Sequence, residues 1–164
     1  MRNKQKNIMA NVKTILYCED DALVRRVYKR RLEQAGFHIL YAEDGLEALK
    51  YLGQFVPDLV VLDLMMPKFS GEEVLKFICT DSRLHEIPLI ILSSSSEMKD
   101  EYQQISGRAD KYLVKYSCTP DKLLATIQEI FAGPSQKISE DPIEDSDSAT
   151  FEKIQRLVCG SSPH

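Results

Sequence analysis

Polar side chains follow four of the five short apolar runs in this sequence. In chain order they are Glu19, Asp20 and Asp21 after the first run, Asp63 after the third, Ser93 to Ser96 after the fourth and Lys115 after the fifth. Clustered carboxylates repel one another unless a cation lies between them, and carboxylate and carbonyl oxygens suit the octahedral coordination of Mg²⁺. A lysine ammonium and a serine hydroxyl beside such a cation would complete a pocket for a phosphoryl group, whose transfer depends mainly on positioning and charge neutralisation.

Each of these residues has an ordinary structural explanation when it is taken alone. An acidic residue at a strand end is more often a helix cap or a solvated turn, Ser94 ahead of Glu97 could be an N-cap, and a lysine after a strand is usually solvated. The combination is more informative, because ligands of open α/β sheets bind beyond the carboxyl ends of the strands. The sequence therefore predicts a polar site at one edge of a sheet.

The apolar runs are predicted to be the strands of that sheet. They are Thr14–Cys18, Phe37–Tyr41, Leu59–Leu62, Leu89–Leu92 and Tyr112–Val114. Two of them, LVVL and LIIL, are apolar at every position, which is typical of strands that are buried on both faces of a parallel sheet.

Segments with helical spacing of apolar residues alternate with these runs. Residues 21–35 and 45–52 are predicted helices that end at Gly36 and Gly53, and 96–106 is a weaker one. Two further helices begin at the capping box of Ser70 with Glu73 and at Thr119 with Pro120, the second ending before Gly133. The alternation predicts an α/β fold of the (βα)₅ type, a doubly wound parallel five-stranded sheet with helices on both faces and right-handed crossovers.

Composition divides the chain into three parts. Residues 1–12 are polar and basic and are predicted to be a flexible N-terminal segment, and 13–133 are predicted to form the folded domain. Residues 134–164 carry six acidic residues against three basic ones. The last segment is rich in serine and proline and is predicted to be largely disordered, although 150–159 could form a short docking helix. The four cysteines, Cys18, Cys79, Cys118 and Cys159, show no metal-ligand spacing and are expected to be reduced thiols.

The charge balance gives no support to a nucleic-acid or membrane partner. The formal net charge is −4, whereas nucleic-acid-binding domains usually carry a basic excess. The sequence has no apolar stretch of the length that spans a bilayer and no signal-peptide pattern, so we expect a cytoplasmic location.

Four motifs resemble the receiver domain of two-component response regulators, the flavodoxin-like family that includes the chemotaxis regulator. They are ILYCEDDALVRR, PDLVVLDLMMPKFSG, IPLIILSSS and ADKYLVKY, in this order. The second is the most specific, because an aspartate ends an apolar strand, Met-Pro follows three and four residues later, and glycine follows eight residues later. The resemblance covers about Lys13 to Phe131 and implies the strand order 2-1-3-4-5.

The family's roles carry over position by position. Asp63 matches the phospho-acceptor, and Lys115 and Ser93 match the residues that contact the phosphoryl group. Ser93 and Tyr112 also match the pair that moves on activation, although Tyr112 could equally be a half-buried strand tyrosine.

The resemblance also implies a Mg²⁺ site. Its expected ligands are Glu19, Asp20, Asp63 and the backbone carbonyl of Met65, with Asp20 binding directly and Glu19 acting largely through water. Glu19 stands where the family more commonly has aspartate, and it keeps the charge.

Two further positions depart from the family pattern. Ser93 replaces the commoner threonine, and Tyr116 replaces the proline that usually follows the lysine, often after a cis bond. A cis bond costs about 3–4 kcal/mol before tyrosine, against about 0.5–1 kcal/mol before proline. We therefore predict a trans Lys115–Tyr116 bond, with the Lys115 ammonium still reaching Asp63.

The implied function is a stand-alone response-regulator receiver that is phosphorylated on Asp63 by a sensor histidine kinase or a phosphotransfer protein. It would not be an enzyme beyond its own phosphorylation and dephosphorylation. Its expected output is contact with a downstream protein target rather than with nucleic acid, because the 31 residues after Gly133 are acidic and show no helix-turn-helix pattern.

Two alternatives come from other functional classes. A phosphohydrolase of the haloacid-dehalogenase kind also uses an aspartate after a strand, but it carries a second aspartate two residues later, where this chain has Met65. A degenerate receiver that only binds partners would have no need of Asp20, Asp63, Ser93 and Lys115 together.

Overall fold

The sheet of this protein has the predicted architecture. A computed structural model describes residues 12–94 and 109–133. Its five parallel strands lie in the order β2-β1-β3-β4-β5. They are β1 Thr14–Cys18, β2 His38–Ala42, β3 Leu59–Asp63, β4 Leu89–Ser93 and β5 Lys111–Val114. Each begins or ends within a residue of its apolar run, and β3 and β4 extend to the polar residues that follow them.

The described helices cover both faces of the sheet. They are α1 Ala22–Gln34, α2 Gly45–Gln54, α3 Gly71–Thr80 and α4 Pro120–Ala132, and a short 3₁₀ turn, Lys115–Ser117, follows β5. None of these helices is long and apolar enough to cross a bilayer. The predicted helix 96–106, the predicted disordered segment 134–164 with its candidate helix 150–159, and all but the last residue of the segment 1–12 lie outside the described residues.

Most of the predicted helix ends are confirmed. Ser70 and Glu73 form the capping box of α3, and Thr119 caps α4 by accepting a hydrogen bond from the Lys122 amide. Gly36 and Gly133 follow α1 and α4 with φ angles of 94° and 72°, in a region that favours glycine.

The predicted end of α2 at Gly53 is wrong. The helix continues through Gly53 to its last residue, Gln54, and the amide of the C-cap residue Phe55 donates to the Tyr51 carbonyl. Glycine weakens a helix interior by about 0.5–1 kcal/mol relative to alanine, but it does not end the helix unless the backbone leaves the helical region. Leu52 is fully buried, and its packing holds this last turn in place.

The hydrophobic core consists of two clusters, one on each face of the sheet. Leu16, Leu62 and Ile91 belong to the cluster under α2 and α3, whereas Tyr17, Val61 and Leu92 belong to the one under α1 and α4. Every residue of β3 and β4 is buried, so the prediction of two-sided burial is confirmed. Cys18, Cys79 and Cys118 are buried and form no disulfide, while Cys159 lies outside the described residues.

Two glycines allow the loop 64–70 to pack tightly after β3. A Cβ atom on Gly71 would lie 2.2 Å from the Asp63 carbonyl oxygen and 2.5 Å from the Cα of Leu64. A Cβ atom on Gly45 would lie 1.9 Å from the Phe69 carbonyl oxygen. The first turns of α2 and α3 therefore press directly on the main chain of this loop.

An ion pair holds the same loop from the side of α2. Asp44 is buried, caps α2 by accepting a hydrogen bond from the Glu47 amide, and accepts another from the Lys68 ammonium. Lys68 has a φ of 66°, and it is the only non-glycine residue in the described ranges with a positive φ. The ion pair offsets part of the cost of this unusual backbone conformation.

Candidate functional site

The polar residues predicted to form a site meet at the carboxyl edge of the sheet. Asp63 ends β3 opposite Leu92, and Ser93 ends β4 opposite Val114. Lys115 comes directly after β5, and Glu19 directly after β1. The strand register thus brings together residues that are far apart in the sequence.

Lys115 bridges the two buried carboxylates of the site. Its Nζ lies 2.6 Å from Oδ2 of Asp63 and 2.7 Å from Oε2 of Glu19. Asp63 and Glu19 are 1 % and 0 % exposed, so water contributes little to their solvation. The prediction that the lysine reaches Asp63 is confirmed in the unphosphorylated chain.

Backbone amides complete the contacts of both carboxylates. Oδ1 of Asp63 accepts a hydrogen bond of 3.0 Å from the Met65 amide, and Oε1 of Glu19 accepts one of 3.1 Å from the Asp21 amide. The Asp63 carboxylate is therefore held by the Lys115 ammonium on one oxygen and by the Met65 N–H group on the other, which fixes its orientation.

Burial and charge pull the pKa values of this cluster in opposite directions. Burial raises the pKa of Asp63, and the charge of Asp20 adds to that rise, although the hydrogen bonds from Lys115 and Met65 oppose it. Burial also raises the pKa of Glu19 against the same lysine. Burial alone would lower the pKa of Lys115, but its hydrogen bonds to Asp63 and Glu19 outweigh that effect and raise it. The site is short of positive charge.

A divalent cation would balance the negative net charge of the site. One carboxylate oxygen from each of Glu19, Asp20 and Asp63 lies within 4.8 Å of the others. With the single ammonium of Lys115, three ionised carboxylates leave a net charge of −2, which Mg²⁺ would balance. Asp20 is exposed and can supply an oxygen from the solvent side.

Asp21 takes no part in the acidic cluster. Its carboxylate caps α1 and accepts hydrogen bonds from the amides of Leu23 and Val24, which lower its pKa. Of the three consecutive acidic residues after β1, Asp21 caps a helix, whereas Glu19 and Asp20 belong to the site.

The predicted switch residues lie on one face of the sheet. Ile91 pairs with Tyr112, and Ser93 lies two residues beyond Ile91 and therefore on the same side as Tyr112. Ser93 is fully buried, whereas Tyr112 is half-buried and packs against the cluster under α2 and α3. Both descriptions of Tyr112, a strand tyrosine and a residue beside the site, fit this position.

The backbone after Lys115 follows a path without a cis bond. The described peptide bonds are all trans, including Lys115–Tyr116, as predicted. Residues 115–117 form a 3₁₀ turn in which the Cys118 amide donates to the Lys115 carbonyl. Tyr116 is 79 % exposed, so it does not compete with Lys115 for the site.

Arg25 supports the site and was not singled out by the sequence. Its guanidinium donates to the carbonyl oxygens of Glu19, at 2.9 Å, and Asp20, at 3.0 Å. Side chains of a helix point back toward its N-terminus, so a basic residue four positions after the cap Asp21 can reach the preceding loop. The four-residue spacing between Asp21 and Arg25 is therefore the sequence signal that could have identified Arg25.

Comparisons with known proteins find one family along most of the folded domain. The family model of the response regulator receiver domain matches residues 15–128. The phosphate regulon transcriptional regulatory protein PhoB of Escherichia coli is 32% identical over 91% of this chain and 65% of its own length. The probable transcriptional regulator ycf27 of Porphyridium aerugineum is 37% identical over 71% of the chain and 47% of its own length. The chain thus spans between about half and two thirds of these relatives.

Solved structures show the same fold. The chemotaxis response regulator CheY4 of Vibrio cholerae has a TM-score of 0.66 and 26% identity, over 72% of this chain and 98% of that chain. The response regulator TrrA of Thermotoga maritima, solved in complex with Mg²⁺-BeF, has a TM-score of 0.63 and 34% identity, over 71% of this chain and 97% of that chain.

Proposed function

This chain belongs to the response regulator receiver domain family, and from that premise we propose that it accepts a phosphoryl group on Asp63 and signals through contact with a downstream protein. The donor is a sensor histidine kinase or a phosphotransfer protein. One observation carries the proposal: Asp63 is a buried carboxylate at the end of a central strand, held by Lys115 at 2.6 Å and by the Met65 amide at 3.0 Å.

Asp63 acts as the nucleophile of the transfer. A carboxylate oxygen attacks the phosphorus of a phosphohistidine, the P–N bond breaks, and the histidine nitrogen leaves with the electron pair. The product is an aspartyl phosphate. Lys115 already touches the attacking carboxylate, and its four-methylene stem lets the ammonium follow the charge onto a phosphoryl oxygen.

A magnesium ion is part of the proposal. Glu19, Asp20, Asp63 and the Met65 carbonyl would hold it, and when bound it neutralises negative charge on the carboxylates and the incoming phosphoryl group. Arg25 keeps the backbone of Glu19 and Asp20 in place for this role.

The signal leaves the site through the face that carries Ser93 and Tyr112. A phosphoryl oxygen attracts the Ser93 hydroxyl, and Tyr112 on the same face adjusts its packing as Ser93 moves. Such two-state coupling is typically worth about 1–3 kcal/mol, enough to change the affinity for a partner by roughly 5–150-fold.

The output partner is a protein in this proposal. PhoB and ycf27 are named transcriptional regulators, and this chain spans about half to two thirds of their length. The absence of a nucleic-acid partner therefore stays a prediction, as does a cytoplasmic location.

The test is intact-mass measurement after incubation with acetyl phosphate. We expect the wild-type chain to gain one phosphoryl group in the presence of Mg²⁺ and none in EDTA, and Asp63→Asn to gain none while keeping its circular dichroism spectrum. Full labelling of Asp63→Asn would show that another residue is the acceptor. Failure of the wild type to gain mass in Mg²⁺ would favour a receiver that only binds partners.

A further inference from the structure

The outer face of α1 carries four exposed residues at helical spacing. They are Leu23, Arg26, Val27 and Arg30, and because they are three or four positions apart they lie on one side of the helix. We call these four residues the α1 stripe. Leu23 is 71 % exposed and Val27 is 53 % exposed, although both are apolar. Covering them would be favourable, since burial removes apolar surface from water.

The two arginines of the α1 stripe form no hydrogen bond or ion pair within the described part of the chain. The other basic residues of α1 are engaged. Arg25 donates to the loop after β1. Lys29 pairs with Glu33 at 3.5 Å. Arg31 pairs with Asp121 of α4 at 2.6 Å. The α1 stripe therefore presents two free positive charges beside two exposed apolar side chains.

An acidic run after the folded domain complements the α1 stripe. Residues 140–147 have the sequence EDPIEDSD, with five acidic residues and no basic one. Pro142 and Ile143 stand between two acidic pairs in this run. A segment of this kind can offer carboxylates to the two arginines and an apolar side chain to Leu23 and Val27.

The chain leaves the folded domain beside α1. Helices α1 and α4 pack together on one face of the sheet, and the ring of Phe131, near the end of α4, lies 5.7 Å from that of Phe37, which follows α1. Residues 134–147 span about 45 Å when extended, at roughly 3.3 Å per residue. The 13 residues of α1 are about 20 Å long at 1.5 Å per residue. The acidic run can therefore reach the whole α1 stripe.

A tethered segment needs only a weak affinity for its docking surface. Short flexible linkers give effective concentrations in the millimolar range, so a contact with a Kd of about 1 mM is roughly half formed. Exposed ion pairs contribute little individually, but two of them together with the burial of Leu23 and Val27 are sufficient for a contact of this strength.

We propose that residues 140–147 dock on the α1 stripe of the same chain. A second copy fits less well, because a symmetric contact would bring the arginines of both copies together. Nucleic acid is disfavoured by the net charge of −4. The Leu23 amide donates to Asp21 at the start of α1, so the docked segment lies beside the loop that carries Asp20 and shields this surface from other proteins. The inference goes beyond the proposed function and does not depend on it.

The test places a photo-crosslinking residue in the full chain. Val27→p-benzoylphenylalanine puts the probe on the α1 stripe. Leu46→p-benzoylphenylalanine is the control, because Leu46 is also an exposed apolar residue and lies on α2, on the opposite face of the sheet. After irradiation and digestion, mass spectrometry should find the probe at Val27 joined to residues 140–147 within one chain. We expect a yield about threefold or more above that of the Leu46 probe, at every protein concentration.

Charge reversal tests the complementarity. Arg26→Glu together with Arg30→Glu should lower the cross-link yield from the Val27 probe about threefold or more, because two attractions become repulsions. Lys50→Glu together with Lys76→Glu makes the same change in net charge at exposed positions of α2 and α3, and it should leave the yield unchanged. Equal effects of the two pairs would show a response to net charge alone and would overturn the inference.

A charge swap provides the rescue. In the chain with Arg26→Glu and Arg30→Glu, the further changes Glu144→Lys and Asp145→Lys should restore the yield, because the two segments regain opposite charges. Cross-links between two copies, equal yields from the Val27 and Leu46 probes, or cross-links from Val27 only to residues outside 140–147 would each refute the docking.

Discussion

Substitution of Lys115 by methionine tests the charge balance of the site most directly. Methionine keeps an unbranched side chain of similar length but removes the ammonium that contacts both Asp63 and Glu19. The cluster with Asp20 then changes from a net charge of −2 to −3, with two of its three carboxylates buried. We expect a less stable fold in the absence of metal and a larger response to Mg²⁺.

The expected loss of stability follows from the burial of the partners. Removing one member of a buried ion pair costs about 3–5 kcal/mol. Since the Lys115 side chain is 27% exposed, solvent reduces this cost below that range, and about 2–3 kcal/mol is expected. In a domain of roughly this size, 1 kcal/mol shifts the melting temperature by about 3–5 °C, so Lys115→Met should melt about 6–15 °C lower.

The assay is urea unfolding at pH 8 in EDTA and in saturating Mg²⁺. Alkaline pH prevents the carboxylates from relieving their repulsion by protonation. Bound Mg²⁺ supplies the missing positive charge, so the difference between Lys115→Met and wild type should shrink to less than about 1 kcal/mol. Phosphoryl acceptance should still fall by about a hundredfold, because a metal ion does not replace the donor on the phosphoryl oxygen.

Lys111→Met is the matched control. Lys111 lies on β5 and pairs with Glu129 at 4.0 Å, with both side chains about half exposed or more. Exposed pairs contribute about 0–1 kcal/mol, so this variant should stay close to wild type in both conditions. A Lys115→Met protein as stable as wild type in EDTA would refute the charge argument, and so would a loss of stability that Mg²⁺ leaves unchanged.

Three further predictions concern the same site and its support. Asp20→Ala should weaken Mg²⁺ binding far more than Glu19→Ala, and equal losses by isothermal titration would contradict the assignment of Asp20 as the direct ligand. Because burial raises the pKa of Asp63, its ionised form disfavours the metal-free fold. The protonated form of Asp63 therefore stabilises the fold, and this stabilisation is fully present below the ordinary carboxyl pKa and is lost as pH rises through the raised pKa of the folded state. As pH falls from neutral toward the ordinary carboxyl pKa, the unfolding free energy of wild type should rise relative to that of Asp63→Asn. Urea unfolding in EDTA measures this difference, and a gain in the opposite direction would refute the sign. Gly71→Ala should cost more than about 2 kcal/mol because its Cβ would overlap the Asp63 carbonyl, whereas Gly53→Ala, with nothing within 4 Å, should stabilise α2 by about 0.5–1 kcal/mol. Comparable effects of the two alanines in thermal melts would show that the close approach at Gly71 is relieved by movement.

The fold could be predicted because its signals are strong and local. Strands that are apolar at every position, such as LVVL and LIIL, indicate two-sided burial, and the polar residue after each one indicates the carboxyl edge. The family resemblance supplied the strand order and the pairing of Asp63 with Lys115, which are separated by 52 residues. Composition and periodicity describe local sequence and do not predict a contact between residues so far apart in the chain.

The remaining features depend on tertiary contacts that a local pattern does not encode. Gly53 has the residue type of a helix stop, but the burial of Leu52 carries the helix past it. Asp21 belongs to an acidic run, yet its carboxylate turns to the helix instead of the site. Tyr17 belongs to an apolar strand in the sequence, and only the packing around it reveals that its hydroxyl has no hydrogen-bond partner within residues 12–94 and 109–133.

The loop 64–70 has a consequence for the entropy of the reaction. Phe69 meets Gly45, Lys68 bonds to Asp44, and Gly71 rests against the Asp63 main chain, so the loop that carries Met65 is restrained on several sides. Ordering one residue costs about 1–2 kcal/mol of backbone entropy. Loop 64–70 loses this backbone entropy when the chain folds, so no further loss is needed when a phosphoryl group binds. The Met65 amide and carbonyl are thus preorganised, and a slow ordering step of this loop should not limit the rate of phosphorylation.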